Sequence, residues 1–150
     1  MKLSKKLLVS TLAFAGITAA SAAYAGPPVT VTFKNNATAD ATYTIITSNE
    51  SSTYANASPK PLTTVKAGIP NTYQVTSLIS PDVNYANVRY RIGAKECVFG
   101  TTFVNALQPG GYKIPKWTKT ATGSGGATCT ATITSYNLST YAWTVDFVMR

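Results

Sequence analysis

The sequence predicts an all-β fold, a single antiparallel β-sandwich of Ig-like or jelly-roll-like type with about seven or eight strands. Three observations carry this. Apolar residues recur at period two in run after run. Clusters of Asn, Gly, Pro and Ser separate those runs. Beyond the N-terminal segment no stretch keeps the 3.6-residue period of a helix, so helix content there is expected to be close to nil.

The strands follow in order. "VTVTF" (Val29–Phe33) sets Val29, Val31 and Phe33 against Thr30 and Thr32. "TYTIIT" (Thr42–Thr47) is β-branched and aromatic, and "TYQVTSLI" (Thr72–Ile79) is another alternating run. "NVRYRI" places Val88, Tyr90 and Ile92 on one face and Arg89 and Arg91 on the other. "CVFGTTFV" carries Phe99 and Phe103 on the side of Cys97. "TCTATIT" points Cys129, Ala131 and Ile133 inward and Thr128, Thr130, Thr132 and Thr134 outward. "YAWTVDFVM" ends the pattern with Tyr141, Trp143, Val145, Phe147 and Met149 on one face. Threonine suits the outer faces because it is β-branched yet polar. "NESSTYANASPKP" (Asn49–Pro61) is expected to be a long polar loop, and "ATGSGGA" (Ala121–Ala127) a mobile loop tip.

The N-terminal segment reads as an address. Lys2, Lys5 and Lys6 precede the apolar "LLVSTLAFAGITAA", and "AYA" ending at Ala25 offers small residues for cleavage. This is the pattern of a bacterial secretory signal peptide. It implies residues 1–25 as leader, Gly26–Arg150 as one sandwich domain, and export through the inner membrane to the periplasm or beyond. An exported chain meets an oxidising compartment, so Cys97 and Cys129 are expected to form a disulfide. Both face the core, which allows a bridge between neighbouring strands or between the sheets. Loop-closure entropy assigns such a cross-link roughly 3–4 kcal/mol.

Composition narrows the chemistry. The chain has no histidine, which removes histidine-based triads, Cys–His dyads and the commonest metal ligand together. Its five acidic residues, Asp40, Glu50, Asp82, Glu96 and Asp146, are far apart, and Asp40, Glu50 and Asp82 stand in turn-like, solvated contexts. No phosphate-cradling glycine motif is present. The sequence therefore predicts a protein that is not an enzyme and needs no cofactor or metal. Beyond the leader, ten basic residues stand against five acidic ones. The excess favours anionic partners, while the scatter of the lysines argues against nucleic acid.

Four surfaces could bind. The stretch "GGYKIPKWTKT" mixes Tyr112 and Trp117 with Lys113, Lys116 and Lys119. Such a segment can stack on sugar rings or seat its aromatics at a lipid interface beside anionic groups. It can equally be a strand with Trp117 turned into the sandwich. Arg89 and Arg91 could grip a carboxylate or phosphate, with Glu96 able to neutralise one of them. The Asn49–Pro61 segment carries Tyr54, and the outward threonines of "TCTATIT" form a polar stripe. The expected function is a secreted, non-enzymatic sandwich that binds a glycan or an anionic membrane, with self-association as a further possibility.

Two resemblances add alternatives. Val29–Asn36 has the "V-x-V-x-F-x-N" pattern and resembles the opening strand of aegerolysin-type and actinoporin-type sandwiches, which implies a membrane-active protein. The resemblance covers those residues and general size. A signal, a sandwich and one disulfide also resemble fimbrial subunits, which implies a structural subunit of a fibre or surface layer. "PPVTVTFKNN" would then be a donor segment, although both cysteines come late and the last strand looks complete.

Overall fold

The computed structural model describes residues 25–150. The expected leader, but for Ala25, lies outside the described residues. Two five-stranded sheets pack face to face. The first has the order β3-β5-β1-β10-β9, with β1 (Val29–Asn35), β3 (Ala57–Ser58), β5 (Pro70–Val75), β9 (Cys129–Tyr136) and β10 (Trp143–Met149). The second has the order β4-β2-β6-β7-β8, with β2 (Ala41–Thr44), β4 (Thr64–Val65), β6 (Val83–Ile92), β7 (Lys95–Leu107) and β8 (Lys113–Ser124). Eight strands have four residues or more; β3 and β4 are two-residue additions at the sheet edges.

Alternation places the core as expected. Val29, Val31 and Phe33 of β1 are buried, as are Val88 and Tyr90 of β6 and Trp143, Val145, Phe147 and Met149 of β10. Aromatic rings fill the space between the sheets. Phe33 stacks on Tyr90 and Phe99 stacks on Phe147, the latter with centroids 4.8 Å apart. Three buried aromatics find partners for their polar ends, whereas the Tyr43 hydroxyl finds none among the described residues. The Tyr73 and Tyr90 hydroxyls lie 3.2 Å apart, and Trp143 Nε1 donates to Thr101 Oγ1 at 3.0 Å.

One pairing departs from the antiparallel expectation. β1 and β10 run parallel, from Val29↔Trp143 to Asn35↔Met149. Parallel neighbours need a long connection, and here nearly the whole domain supplies it. β1 therefore occupies the middle of its own chain's sheet, with β5 on its other side.

The segment expected as a polar loop holds a helix, α1 (Ser48–Asn56), which corrects the expectation of no helix. Its signal was a capping box, "TSNE". Thr47 Oγ1 accepts from Glu50 N at 3.3 Å, and the Glu50 carboxylate accepts from Thr47 N at 3.0 Å and Ile46 N at 2.6 Å. Four backbone donors need partners at any helix start, and this box meets part of that need. The helix sits beside β6 where β2 has stopped: Thr53 Oγ1 accepts from Asn87 N at 2.9 Å, and Tyr85 donates to Ser52 Oγ at 3.0 Å. It thereby covers a stretch of sheet edge that would otherwise lie open.

The disulfide joins Cys97 on β7 to Cys129 on β9, and so links the two sheets. "ATGSGGA" is not a loop tip. Ala121–Ser124 belong to β8, and only a tight turn follows. Gly125 has φ +61°, and a Cβ there would stand 1.9 Å from Ala94 O, so this turn requires glycine on both counts.

Candidate functional site

Strand directions bring four connections to one end of the sandwich. β1, β6, β8 and β10 begin there and β5, β7 and β9 finish there. The residues before β1 and the loops β5–β6, β7–β8 and β9–β10 therefore share that end. Hydrogen bonds tie the residues before β1 to the β5–β6 connection: the Asn84 side chain donates to Pro27 O and to Val75 O, and Gly26 N donates to Ser77 O.

This end carries an apolar crown. Eleven large hydrophobic side chains are exposed among the described residues, and seven belong here: Leu78, Ile79, Leu107, Tyr112, Ile114, Tyr136 and Leu138. Leu78 and Ile79 are 67% and 74% exposed. They were expected within a strand, but β5 stops at Val75. Adjacent Leu and Ile break period two, so one of the pair had to point outward; that was the available signal. The remaining exposed apolar residues, Ile45, Ile46, Leu62 and Ile69, lie on other loops.

The expected aromatic-basic segment divides. Tyr112 is exposed where the β7–β8 turn ends, immediately before β8. Lys113 forms an ion pair with Asp82, and Asn105 Nδ2 also reaches Asp82, at 3.2 Å. Lys113 holds the Asp82 carboxyl below its ordinary range. Lys116 and Lys119 are exposed, and neither pairs with a carboxylate among the described residues. Trp117 faces inward at the open side between β8 and β9 and is half-buried. Its ring stacks on Tyr136 with centroids 4.8 Å apart, and its Nε1 donates to Tyr141 O at 3.2 Å. Phe103 and Tyr141 complete the cluster. Trp117 thus closes the sandwich between its two long edge strands.

Arg89 and Arg91 lie elsewhere, on the outer face of β6 and nearer the opposite end. Arg89 pairs with Glu50 at 2.9 Å and with Glu96, and Arg91 pairs with Glu96 as well. The pairing of Glu96 was legible in the sequence; that of Glu50 was not. Glu50, expected in a solvated turn, is 1% exposed. Burial pushes its carboxyl up, but the Ile46 and Thr47 donors and Arg89 together outweigh this, so it lies below its ordinary value. Among the other carboxylates, Asp146 meets Lys34 at 2.6 Å and Asp40 accepts from Ala67 N at 3.1 Å.

The threonine stripe extends beyond β9. Thr30, Thr32, Thr72 and Thr144 join Thr130, Thr132 and Thr134 on the outer face of the first sheet. Above it, at the crowned end, lies an open cleft of about 340 Å³ lined by Pro28, Thr30, Gln74, Ser135, Tyr136, Asn137, Ala142, Trp143 and Thr144. Its lining contains no charged side chain. Comparison with family models, with curated proteins and with solved structures finds no match for this chain.

Proposed function

We propose that this protein is a secreted, non-enzymatic β-sandwich that docks its crowned end on an anionic lipid surface. The supporting observation is the gathering of seven of eleven exposed large hydrophobic residues at that end, four on its loops and three on the adjoining strand ends. Scattered apolar residues are ordinary on a surface, whereas a concentration in one region marks an interaction site. Leucine and isoleucine on these loops and strand ends suit acyl chains better than sugars. Sugar stacking wants a flat ring with a free face, and Trp117 already presents its ring to Tyr136. Each Leu or Ile taken out of water contributes roughly 1.5–3 kcal/mol when fully buried, and less at a partly wet interface. Lys116, near the start of the adjoining strand, adds attraction to anionic headgroups at up to about 1 kcal/mol. The leader-like segment and the disulfide support an exported location.

Co-sedimentation with vesicles tests this directly. The protein should pellet with phosphatidylglycerol-containing vesicles and much less with pure phosphatidylcholine. Leu78→Ser with Ile79→Ser should weaken binding by about tenfold or more. Equal binding by the double variant would refute docking through the crown. Retention on glycan beads without vesicle binding would move the ligand to the sugar class.

A further inference from the structure

We propose that the free edge of β9 is a self-pairing interface, joining β9 of a second copy in antiparallel register about a twofold axis. This goes beyond lipid docking and uses a different face of the molecule.

The sandwich has four sheet edges among the described residues, formed by β3, β4, β8 and β9. Three are guarded in ways that block strand addition. β3 and β4 are two residues long. β8 carries Lys113, Pro115, Lys116 and Lys119. β9, "CTATITSY", has no charge and no proline. A β-bulge near Thr134, where Ile133 and Ser135 pair with the adjacent Val145 and Thr144, leaves Cys129–Ile133 as its regular part.

Hydrogen-bond parity identifies the open groups. Thr128 and Arg150 exchange both backbone bonds, Thr128 N to Arg150 O and Arg150 N to Thr128 O. Antiparallel pairs alternate between bonded and non-bonded, so Thr130 and Thr132 direct their backbone groups toward β10. Cys129, Ala131 and Ile133 direct theirs away from it, toward a side where no strand among the described residues pairs with β9. An antiparallel partner centred on Ala131 would set Ala131 opposite its own symmetry mate and Cys129 opposite Ile133, each bonded pair exchanging two hydrogen bonds. Thr130 would meet Thr132 on the outer face, a favourable cross-strand pair.

Charge selects the second copy as occupant. A twofold antiparallel contact places each strand's charges near their own mates, and like charges facing each other across a sheet are destabilising. Of the two long edges, β8 would set its own lysines directly opposite one another, whereas the β9 strand itself carries no charge.

The experiment is analytical ultracentrifugation of the purified protein with three variants. Ala131→Pro removes only an N–H that points to the open side, a position where an edge strand tolerates proline. Thr130→Lys with Thr132→Lys, both on the exposed face, sets lysine against lysine across the twofold. The wild type should be dimeric, and both β9 variants should weaken the dimer by about tenfold or more with unchanged circular dichroism. Amide exchange at Ala131 and Ile133 should slow in the dimer. A wild type that stays monomeric up to about 1 mM, or a dimer that the double-lysine variant leaves intact, would overturn the proposal. So would a dimer lost only in the third variant, Leu78→Ser with Ile79→Ser.

Discussion

Replacing Glu50 by glutamine is the most informative single perturbation of this fold. The carboxylate is 1% exposed, lies 2.9 Å from an Arg89 nitrogen, and accepts from Ile46 N and Thr47 N. A glutamine that keeps its oxygen toward those two amides must turn its NH₂ toward Arg89, donor against donor. Removing one member of a buried pair costs about 3–5 kcal/mol. Arg89 retains Glu96, which places the expected loss near the lower limit, at about 3 kcal/mol. Glu50→Ala also removes the capping acceptor and should lose about 1 kcal/mol more. With a urea slope of about 1–3 kcal/mol/M, the glutamine variant's midpoint should fall by roughly 1–3 M at unchanged slope. A fall of less than about 0.3 M would refute the view that this pair anchors α1 to the second sheet. The pH dependence provides a second readout. The folded carboxyl lies below its ordinary value, so its stabilisation is complete above the unfolded range near about 4. It is lost as pH falls through the folded value. Acid should therefore erode wild-type stability across that window and narrow the gap to the glutamine variant.

Three further outcomes are expected. Replacing Cys97 and Cys129 together by alanine should cost about 3–4 kcal/mol, the loop-closure value for a sequence separation of 32, measured by denaturant titration against the oxidised wild type. Gly125→Ala should lose about 2 kcal/mol or more, since φ is +61° and the new Cβ would collide with Ala94 O; a thermal midpoint within a degree or so of wild type would contradict that. Tyr43→Phe should be neutral or stabilising by up to about 1 kcal/mol, because the buried Tyr43 hydroxyl has no hydrogen-bond partner among the described residues; calorimetry showing a clear loss would reveal a partner.

Period two made most of the architecture legible. "NVRYRI" and "YAWTVDFVM" lie as alternation requires, and the facing directions of Cys97 and Cys129 already allowed a bridge between sheets. What escaped was set by short-range polar chemistry or by tertiary pairing. The sequence of α1 is polar almost throughout, so it lacks an apolar stripe; its evidence was the capping box, which periodicity does not register. Parallel pairing of β1 with β10 is a long-range fact that no local pattern encodes. Lys119 and Trp117 alternate on the same inward side of β8, yet one is exposed and the other half-buried, because an edge strand's inner face opens to solvent wherever the opposite sheet supplies no cover. The crown escaped for a different reason: Leu78 and Ile79 follow a good strand, and only the end of pairing at Val75 shows that they lie beyond it.

The two proposals constrain one another through geometry. Strand addition at β9 extends the first sheet sideways, whereas the crown lies at the strand ends, so one molecule could use both surfaces at once. A twofold antiparallel contact reverses strand direction, however, and the crowns of the two copies would then point to opposite poles of the dimer. Such a dimer could not lay both crowns on one flat bilayer; it would join two. Wild-type protein should therefore cross-link anionic vesicles, seen as a rise in turbidity that grows with protein concentration. The Thr130→Lys, Thr132→Lys variant should still bind vesicles, aided by its added charge, yet leave them dispersed. Binding with equal turbidity in both proteins would place the bridging contact somewhere other than β9. Binding without turbidity in the wild type would mean that the bilayer-bound form is monomeric, with the β9 edge covered or left unpaired.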